Sequence, residues 1–412
     1  MRGKTPPQPA VPLRRLDSNA MSWLVCGYLL LIVAGYVLLR DPGVAPRSNE
    51  FKHGQAFFMA ADAATLTGFQ LQRPPFREQS LQGPLVLLAL TIAGSLVSLV
   101  VGGIAVVRIL KLPYSDGRVI LTALAWVGSS LLIGTVFLTD RSGSLNIETL
   151  LDCWQRSASA FANSGVCIGQ PPGPASWQTQ VVMLPLAVLG GLGLPVLMEL
   201  GDALRARRPL SRHSTVVLVM TAAVYLVAVV WFGVLRWAAG SGGWEAMASS
   251  SAVAINARTA GLPLENLDDL PRIMRWLIVP LMIVGAGSGG TAGGLKLTTL
   301  AHLFTGVRRS LRGETTGRPF AIAATWAGIY GLVVVVAFLS LLQVTGGRLP
   351  ADRLLFDSIS AVSNVGLSPG PVTLVGAELF ILGSAMVVGR LAPLMILWWM
   401  AETTQDAEMA VG

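Results

Sequence analysis

Charged side chains are scarce in this sequence, and cysteine and histidine are scarcer. Asp, Glu, Lys and Arg together make up 13% of the 412 residues, whereas a soluble domain usually has about 25%. The three cysteines and three histidines are scattered, with none at the spacing of a zinc site or a disulfide framework. These absences argue against a soluble domain, a structural metal site and a disulfide-stapled secreted fold.

Long apolar runs are abundant. Hydrophobic residues make up 53% of the chain, and several uncharged runs reach the roughly 18–20 residues with which a helix crosses a bilayer. Examples are residues 22–39, 119–139, 216–235 and 320–342. The sequence therefore predicts an all-α polytopic membrane protein surrounded by the lipid bilayer.

The positive charge is distributed unevenly along the chain. The net charge is +8, but basic residues cluster in the N-terminal tail and in three linkers, while most acids lie in the opposite connections. The positive-inside rule places such basic linkers in the cytoplasm. We therefore predict a multi-pass protein of the cell membrane with both termini cytoplasmic and no nucleic-acid partner. The linker residues are Arg108, Lys111, Arg118, Arg205, Arg207, Arg208, Arg212, Arg308, Arg309, Arg312 and Arg318.

Four short stretches centred on glycine, called turns 1 to 4 below, share one pattern. They are residues 65–69 (TLTGF), 160–166 (AFANSGV), 256–262 (NARTAGL) and 361–367 (AVSNVGL). Their glycines, Gly68, Gly165, Gly261 and Gly366, follow one another after 97, 96 and 105 residues. Such regular recurrence indicates an internal repeat. Each unit is predicted to contain a spanning helix, a half-length helix, a turn and a second spanning helix, with the four units arranged around a central pore.

The repeat predicts how the chain is divided. Units 1 to 4 cover residues 21–112, 113–210, 211–314 and 315–402, between cytoplasmic tails at 1–20 and 403–412. The second span of unit 2 is expected to be one helix over residues 179–200, in which Pro185 and Pro195 produce kinks.

The half-length segments before the turns are too short to cross a bilayer. About 11 residues of helix rise only about 16 Å, so each segment is expected to enter the membrane and turn back. Non-helical backbone at that depth must face protein or water, and the partly negative helix C-termini suit a cation. Because no turn contains a carboxylate, selection is expected to rest on carbonyl, hydroxyl and amide oxygens. The candidate ion ligands are Thr65, Leu66, Thr67, Gly68, Asn163, Ser164, Gly165, Thr259, Ala260, Gly261, Asn364, Val365 and Gly366.

The second span of unit 3 contains GAGSGGTAGG at residues 285–294, called the glycine loop below. Each glycine costs a helix about 1 kcal/mol relative to alanine, so a break at mid-membrane is expected, as at many transport sites. A formal match to G-x-G-x-x-G lacks the preceding strand and the following acid, and no organic cofactor is predicted. The candidate gate residues are Gly285, Gly287, Ser288, Gly289, Gly290, Thr291, Gly293 and Gly294, with the nearby Lys296 and the distant Arg390.

Two cations near the predicted pore have alternative interpretations. Lys296 is either an interfacial amine or part of a cationic plug below the turns. Arg390 is an intramembrane charge, which is a functional hypothesis by default. It either faces the cavity or anchors an acid on a neighbouring helix.

Two charged residues lie shortly before the glycines of turns 1 and 3. Arg258 precedes Gly261 and is expected to point away from the pore and pair with an acid such as Asp357 or Glu245. Asp62 precedes Gly68, where it either raises the local cation concentration or caps neighbouring backbone.

At these residues the chain resembles the Trk/Ktr/HKT superfamily of potassium and sodium transporters, and most closely the Ktr-type membrane subunit. TLTGF, NARTAGL and SNVGLS are similar to the first, third and fourth filter sequences of that superfamily, and the stretch 285–296 is similar to its gating loop. Gly389-Arg390 with Pro393 matches its last-helix signature.

The resemblance implies a pseudo-fourfold pore that selects K⁺, with the glycine loop as its gate and Arg390 as an electrostatic barrier. It also implies a homodimer regulated by a cytoplasmic ring of nucleotide-binding subunits. Glycine at position 68 favours potassium in this comparison. Turn 2 departs from the usual filter sequence at Ser164 and Val166, so Na⁺ remains a second candidate ion.

Several functional hypotheses stay open. The leading one is a K⁺ channel or transporter, and the sequence does not separate a channel from an ion-coupled symporter. A membrane-embedded enzyme would need a nucleophile or base at depth, and no His/Asp/Glu constellation is visible. A non-conducting regulatory homologue that uses the glycine loop to bind a ligand is the third.

Overall fold

The computed structural model describes residues 19–41, 52–71, 81–139, 146–169, 171–403 and 409–410. Within these ranges the chain is helical and has no β-strand, which confirms the predicted all-α class. Among the described residues, six helices are long and apolar enough to cross a membrane. They are Ser22–Leu39, Gln82–Ile109, Asp116–Phe137, Arg212–Ala238, Arg318–Thr345 and Ala377–Glu402. Most of the two predicted tails lies outside the described residues.

The helices follow the order of the repeat. In unit 1 they are α1 (Asn19–Leu39), α2 (His53–Ala64) and α3 (Gln82–Ile109). Unit 2 has α4 (Asp116–Phe137), α5 (Ile147–Ala162), α6 (Leu184–Leu192) and α7 (Leu194–Ala206). Unit 3 has α8 (Arg212–Ala238), α9 (Gly243–Ile255), α10 (Arg272–Ile283) and α11 (Leu297–Leu311). Unit 4 has α12 (Arg318–Thr345), α13 (Ala351–Val362) and α14 (Ala377–Thr403).

The four half-length helices α2, α5, α9 and α13 have 12, 16, 13 and 12 residues. Each packs against the long helix that precedes it, and α14 of the last unit packs against α2 and α3 of the first. The units therefore close into a ring. Small side chains permit this close packing, as on α2, where Ala56, Ala60 and Ala61 are fully buried.

The expected single span over residues 179–200 is wrong. A π-helical segment, Gln178–Met183, leads into α6, and the chain then bends by 101° before α7. The bend is at Gly193, whose φ of 94° is one that glycine adopts without strain. Pro195 follows in the first turn of α7, where a missing N–H removes no helical hydrogen bond.

The second span of unit 3 is also interrupted, between α10 and α11. The ends of the glycine loop are held together by backbone bonds from Gly285 N to Leu295 O and from Leu295 N to Ile283 O, each 2.9 Å. Further bonds join Gly287 N to Gly191 O and Leu194 N to Gly289 O. The loop of unit 3 is thus packed into the bend of unit 2.

Candidate ion-binding site

The structure brings the glycines of all four turns together into what we call the glycine ring. A Cβ added to Gly68 would clash with the backbone of Ser164 and Gly165, and one on Gly165 would lie 2.6 Å from Gly261 O. A Cβ on Gly261 would clash with Val365 O, and one on Gly366 with Thr67 O. Each turn therefore touches the next, and the fourth touches the first.

Backbone conformation aids this convergence. The four ring glycines have φ values of 97°, 63°, 56° and 79°, a region that favours glycine. In three turns the residue two positions earlier is also left-handed, namely Leu66, Asn163 and Asn364, at 59°, 53° and 50°. Such a conformation costs a non-glycine residue about 1–2 kcal/mol. Turn 3 instead contains a π-helical segment, Asn256–Ala260, before Gly261.

The candidate ligands of the turns are buried. Thr65, Leu66, Thr67, Asn163, Ser164, Ala260, Asn364 and Val365 each have no exposed surface. The side chain of Thr259 lies outside the described part of the structure. Because the turns contain no carboxylate, carbonyl, hydroxyl and amide groups supply the local field, which suits a weakly hydrated monovalent cation.

Asp62 anchors turn 1. Its Oδ1 accepts hydrogen bonds from Gly68 N at 2.8 Å and Phe69 N at 2.9 Å. The side chain is 6% exposed. Of its two interpretations, the structure therefore favours backbone capping. These bonds satisfy two amides that no helix satisfies.

Amide side chains hold the other turns. Asn256 Oδ1 accepts from Leu262 N at 2.7 Å and its Nδ2 donates to Leu262 O at 2.5 Å, which closes turn 3. In turn 4, Asn364 Nδ2 donates to Thr67 Oγ1 at 3.1 Å and to Met386 O at 2.9 Å. The second of these asparagines ties turn 4 directly to turn 1.

The glycine loop contacts turn 2 through Thr291. Asn163 Nδ2 donates to Thr291 Oγ1 at 2.9 Å, and that hydroxyl donates to Phe161 O at 3.1 Å. Thr291 N donates to Gly190 O at 3.1 Å. One loop residue thus joins the turn to the bent span of unit 2.

Arg390 lies between turn 1 and the glycine loop. Its Nε donates to Thr65 O at 2.7 Å, its Nη1 to Thr291 O at 2.7 Å and its Nη2 to Leu66 O at 3.4 Å. No acid among the described residues pairs with it. Of its two interpretations, the one that places it at the cavity fits these contacts.

Lys296 is 5% exposed and donates to Ala292 O within the loop. Its amine therefore does not reach an interface, which removes the simple anchoring interpretation. The hydroxyls of Ser288 and Thr298, which are also buried, are 3.0 Å apart.

The acid partner expected for Arg258 is wrong. This arginine is 5% exposed and donates to two carbonyls, Thr221 O and Gly285 O, each at 3.4 Å. Neither Asp357 nor Glu245 pairs with it in the described part of the chain. Arg258 lies in the π-helical segment with which turn 3 begins, and its contact with Gly285 O joins this turn to the start of the glycine loop.

Gln70 is a site residue that the sequence analysis missed. Its Nε2 donates to Gly68 O at 3.2 Å and to Gly165 O at 3.3 Å, so it bridges turns 1 and 2. The backbone of Gln70 is fixed by the bond from Val372 N to its carbonyl, at 2.8 Å. In the sequence, only its position directly after the TLTGF stretch indicates that Gln70 belongs to the site.

Comparison with known proteins identifies the family. The sequence model described as TrkH, cation transport protein, matches residues 118–407. The chain belongs to this family. Within the Trk/Ktr superfamily it is a membrane subunit of the Ktr type.

Individual relatives agree with this assignment. The Ktr system potassium uptake protein B of Bacillus subtilis is 26% identical over 93% of each chain. The Vibrio alginolyticus protein of the same name is 28% identical over 60% of this chain and 58% of its own length. The potassium/sodium uptake protein NtpJ of Enterococcus hirae is 27% identical over 55% of this chain and 54% of its own.

The fold has also been seen in a solved structure. The potassium transporter TrkH from Vibrio parahaemolyticus superposes with a TM-score of 0.74 at 17% sequence identity, covering 95% of this chain and 87% of that one. At this identity the likeness establishes the fold, and the chemistry of the site depends on the residues of this chain.

Proposed function

We propose that this protein carries K⁺ across the cell membrane through the glycine ring, whose carbonyl groups replace the water around the ion. The observation that carries the proposal is the closure of four turns from four units around one point. A cation at that point meets the oxygen dipoles of turns that contain no carboxylate, which suits a monovalent ion.

Potassium is the favoured ion for two reasons. The Ktr relatives in B. subtilis and V. alginolyticus are named for potassium uptake, and position 68 is glycine. Sodium is the second candidate, because the E. hirae relative is named for both ions and turn 2 carries Ser164 and Val166. Uptake through a selective pore fits either a channel or an ion-coupled symporter.

Gating is assigned to the glycine loop and Arg390. The guanidinium donates to carbonyls of turn 1 and of Thr291 at the same time, so a positive charge lies directly against the predicted ion path. Like charges repel strongly where water is excluded. Conduction then requires the loop and this charge to move apart.

The proposed assembly is a homodimer that binds a cytoplasmic ring of nucleotide-binding subunits. The arginine-rich linkers around Arg205, Arg308 and Arg312 are the proposed docking surface, because they carry the densest charge between spans. The enzyme and regulatory alternatives are disfavoured by the membership of a cation transport family.

The test is ion flux in proteoliposomes that contain the purified protein. Gly68→Ser is expected to raise sodium flux relative to rubidium flux, because a side chain at this point displaces the ring backbone. Shortening residues 287–293 is expected to give a constitutively leaky pore. Unchanged flux ratios, or loss of flux in a folded loop variant, would count against the filter and the gate respectively.

A further inference from the structure

A cavity of about 310 Å³ lies beside the glycine loop, between α6 and α8, and is called the lateral crevice below. Its walls are largely apolar, with Leu192 on one side and Leu218 on the other. Ala286, the second residue of the glycine loop, forms part of its inner end. The crevice therefore reaches from the side of α8 to the proposed gate.

The outer wall of the crevice belongs to a membrane-spanning helix. Ala222 on α8 is exposed, and Leu218, Thr221 and Tyr225 on the same helix are half-buried. A residue that is exposed on a spanning helix of this apolarity faces lipid or another protein. The crevice is thus open on the side of α8 that faces lipid or another protein.

A buried cation, Arg258, also lines the crevice. It is 95% enclosed, and its two hydrogen bonds to Thr221 O and Gly285 O are long, at 3.4 Å. Its Nε has no acceptor, and the Thr221 hydroxyl beside it has none either, within the described ranges. No described Asp or Glu forms an ion pair with Arg258. The guanidinium therefore has unused donor capacity and an unmatched charge.

The depth of this charge restricts what can match it. Thr221 is the tenth residue of the 27-residue α8, about 14 Å along the helix from its start. Phospholipid phosphates lie at the membrane surface and keep their charge. A long-chain carboxylic acid can enter the hydrocarbon core protonated and lose its proton on meeting a cation.

We propose that the lateral crevice binds a long-chain carboxylate, with its head group on Arg258 and its acyl chain between α6 and α8. The carboxylate accepts charge-assisted hydrogen bonds from the guanidinium, and the proton that it releases passes to bulk water. The apolar walls bury the first part of the chain.

The position of Arg258 gives the ligand a path to the gate. The same guanidinium donates to Gly285 O, the first carbonyl of the glycine loop. A carboxylate that stiffens this arginine holds the loop in the conformation described above, and it is expected to slow ion flux. This effect rests on the proposed function, whereas binding itself does not.

Binding is tested with a photoreactive long-chain fatty acid and its methyl ester, on purified protein in phosphatidylcholine nanodiscs. The acid is expected to label α6 or α8 beside the crevice, with the labelled peptide identified by mass spectrometry. Ala222→Trp fills the mouth of the crevice and is expected to reduce labelling at least about tenfold, as is Arg258→Gln through the lost charge-assisted bonds. Leu226→Trp, on the exposed lipid face of the same helix, should label like the wild type.

Three results would overturn the proposal. Equal labelling by the acid and the ester would remove the role of charge, and equal labelling of the two tryptophan variants would remove the crevice. Oxidative cross-linking of Ala222→Cys to a second copy would show that a subunit covers it. If labelling follows the expected pattern but the acid does not change rubidium flux, the binding site is supported and its link to the gate is contradicted.

Discussion

Turns 1 and 3 contribute equivalent glycines to one ring, yet they carry opposite charges beside it. Turn 1 is fixed by the carboxylate of Asp62, which accepts two amides. Turn 3 is fixed by the neutral amide of Asn256 and carries the cation Arg258, which donates to carbonyls behind the ring. Their backbones also differ, because turn 1 has a left-handed Leu66 and turn 3 a π-helical segment.

This difference shows that the fourfold symmetry holds for the backbone contacts of the turns and not for their side chains. The ring requires a glycine and a carbonyl from each unit. Any side chain that satisfies the local polar groups is compatible with it. Asp62 presents acceptors to free amides, whereas Asn256 presents both an acceptor and a donor. Each arrangement satisfies the groups that its own backbone path leaves free.

The largest expected effect is displacement of the ring backbone. Gly68→Ala and Gly261→Ala are each expected to lower rubidium flux strongly, with sodium flux rising relative to it as in Gly68→Ser, because the new methyl group would overlap the backbone of the next turn. The matched control is Gly346→Ala, at the end of α12, which has the same φ of 56° as Gly261 but open space around it. That control should cost about 1–2 kcal/mol of stability and retain flux. If Gly261→Ala keeps rubidium flux and only Gly68→Ala loses it, the two turns do not contribute equally to the ring.

The next largest effect is expected from substituting Asp62, the residue that anchors turn 1. Asp62→Ala leaves two buried amides without acceptors, each worth about 1–3 kcal/mol. Asp62→Asn keeps an acceptor oxygen and should lose only about 1 kcal/mol. Thermal unfolding in detergent should rank the melting temperatures as wild type, Asp62→Asn, then Asp62→Ala. If the two variants melt together, the carboxylate does not act through these amides.

The anchor of turn 3 should matter less. Asn256→Ala removes two neutral hydrogen bonds to Leu262, and neutral bonds are weaker than those to a carboxylate. We expect a loss of about 1–3 kcal/mol in the same unfolding assay, below that of Asp62→Ala. Ser241→Ala, in the exposed stretch before α9, is the control and should stay within about 0.5 kcal/mol of the wild type. A reversed order of the Asp62 and Asn256 variants would contradict the contrast between the turns.

The smallest effect is expected at Gln70, which donates to the carbonyls of Gly68 and Gly165. Its removal frees two acceptors that a cation can use. Gln70→Leu should therefore raise apparent ion affinity about two- to fivefold, the equivalent of one weak neutral hydrogen bond. Concentration-dependent rubidium uptake measures this, with the exposed Gln82→Leu as the control. Weaker affinity would mean that Gln70 supports the ring.

Sequence patterns predict the class of the fold because membrane insertion is recorded in long apolar runs. They also indicate which residues meet at the ring, since glycine recurs wherever the backbones touch. The unit boundaries and the roles of the site residues remain predictions.

The bend at Gly193 and the direction of Arg258 were not foreseeable in the same way. Gly190, Gly191 and Gly193 lie within the stretch predicted as one helix, and only their contact with another unit shows why the span breaks there. The partners of Arg258 depend on a π-helical segment that has no clear sequence signal. The bend depends on contacts with another unit, and the partners of Arg258 lie far along the chain in its own unit. A local sequence pattern contains neither kind of contact.

The closed neck of the glycine loop, where residues 283–285 and 295 are bonded to each other, limits what opening can involve. A loop whose ends are fixed can move aside while the helices on either side keep both their positions and their tilt angles. The area and length that the protein presents to lipid then stay constant. Opening through this loop should consequently be insensitive to membrane tension and bilayer thickness, unlike that of a pore that widens by tilting its helices.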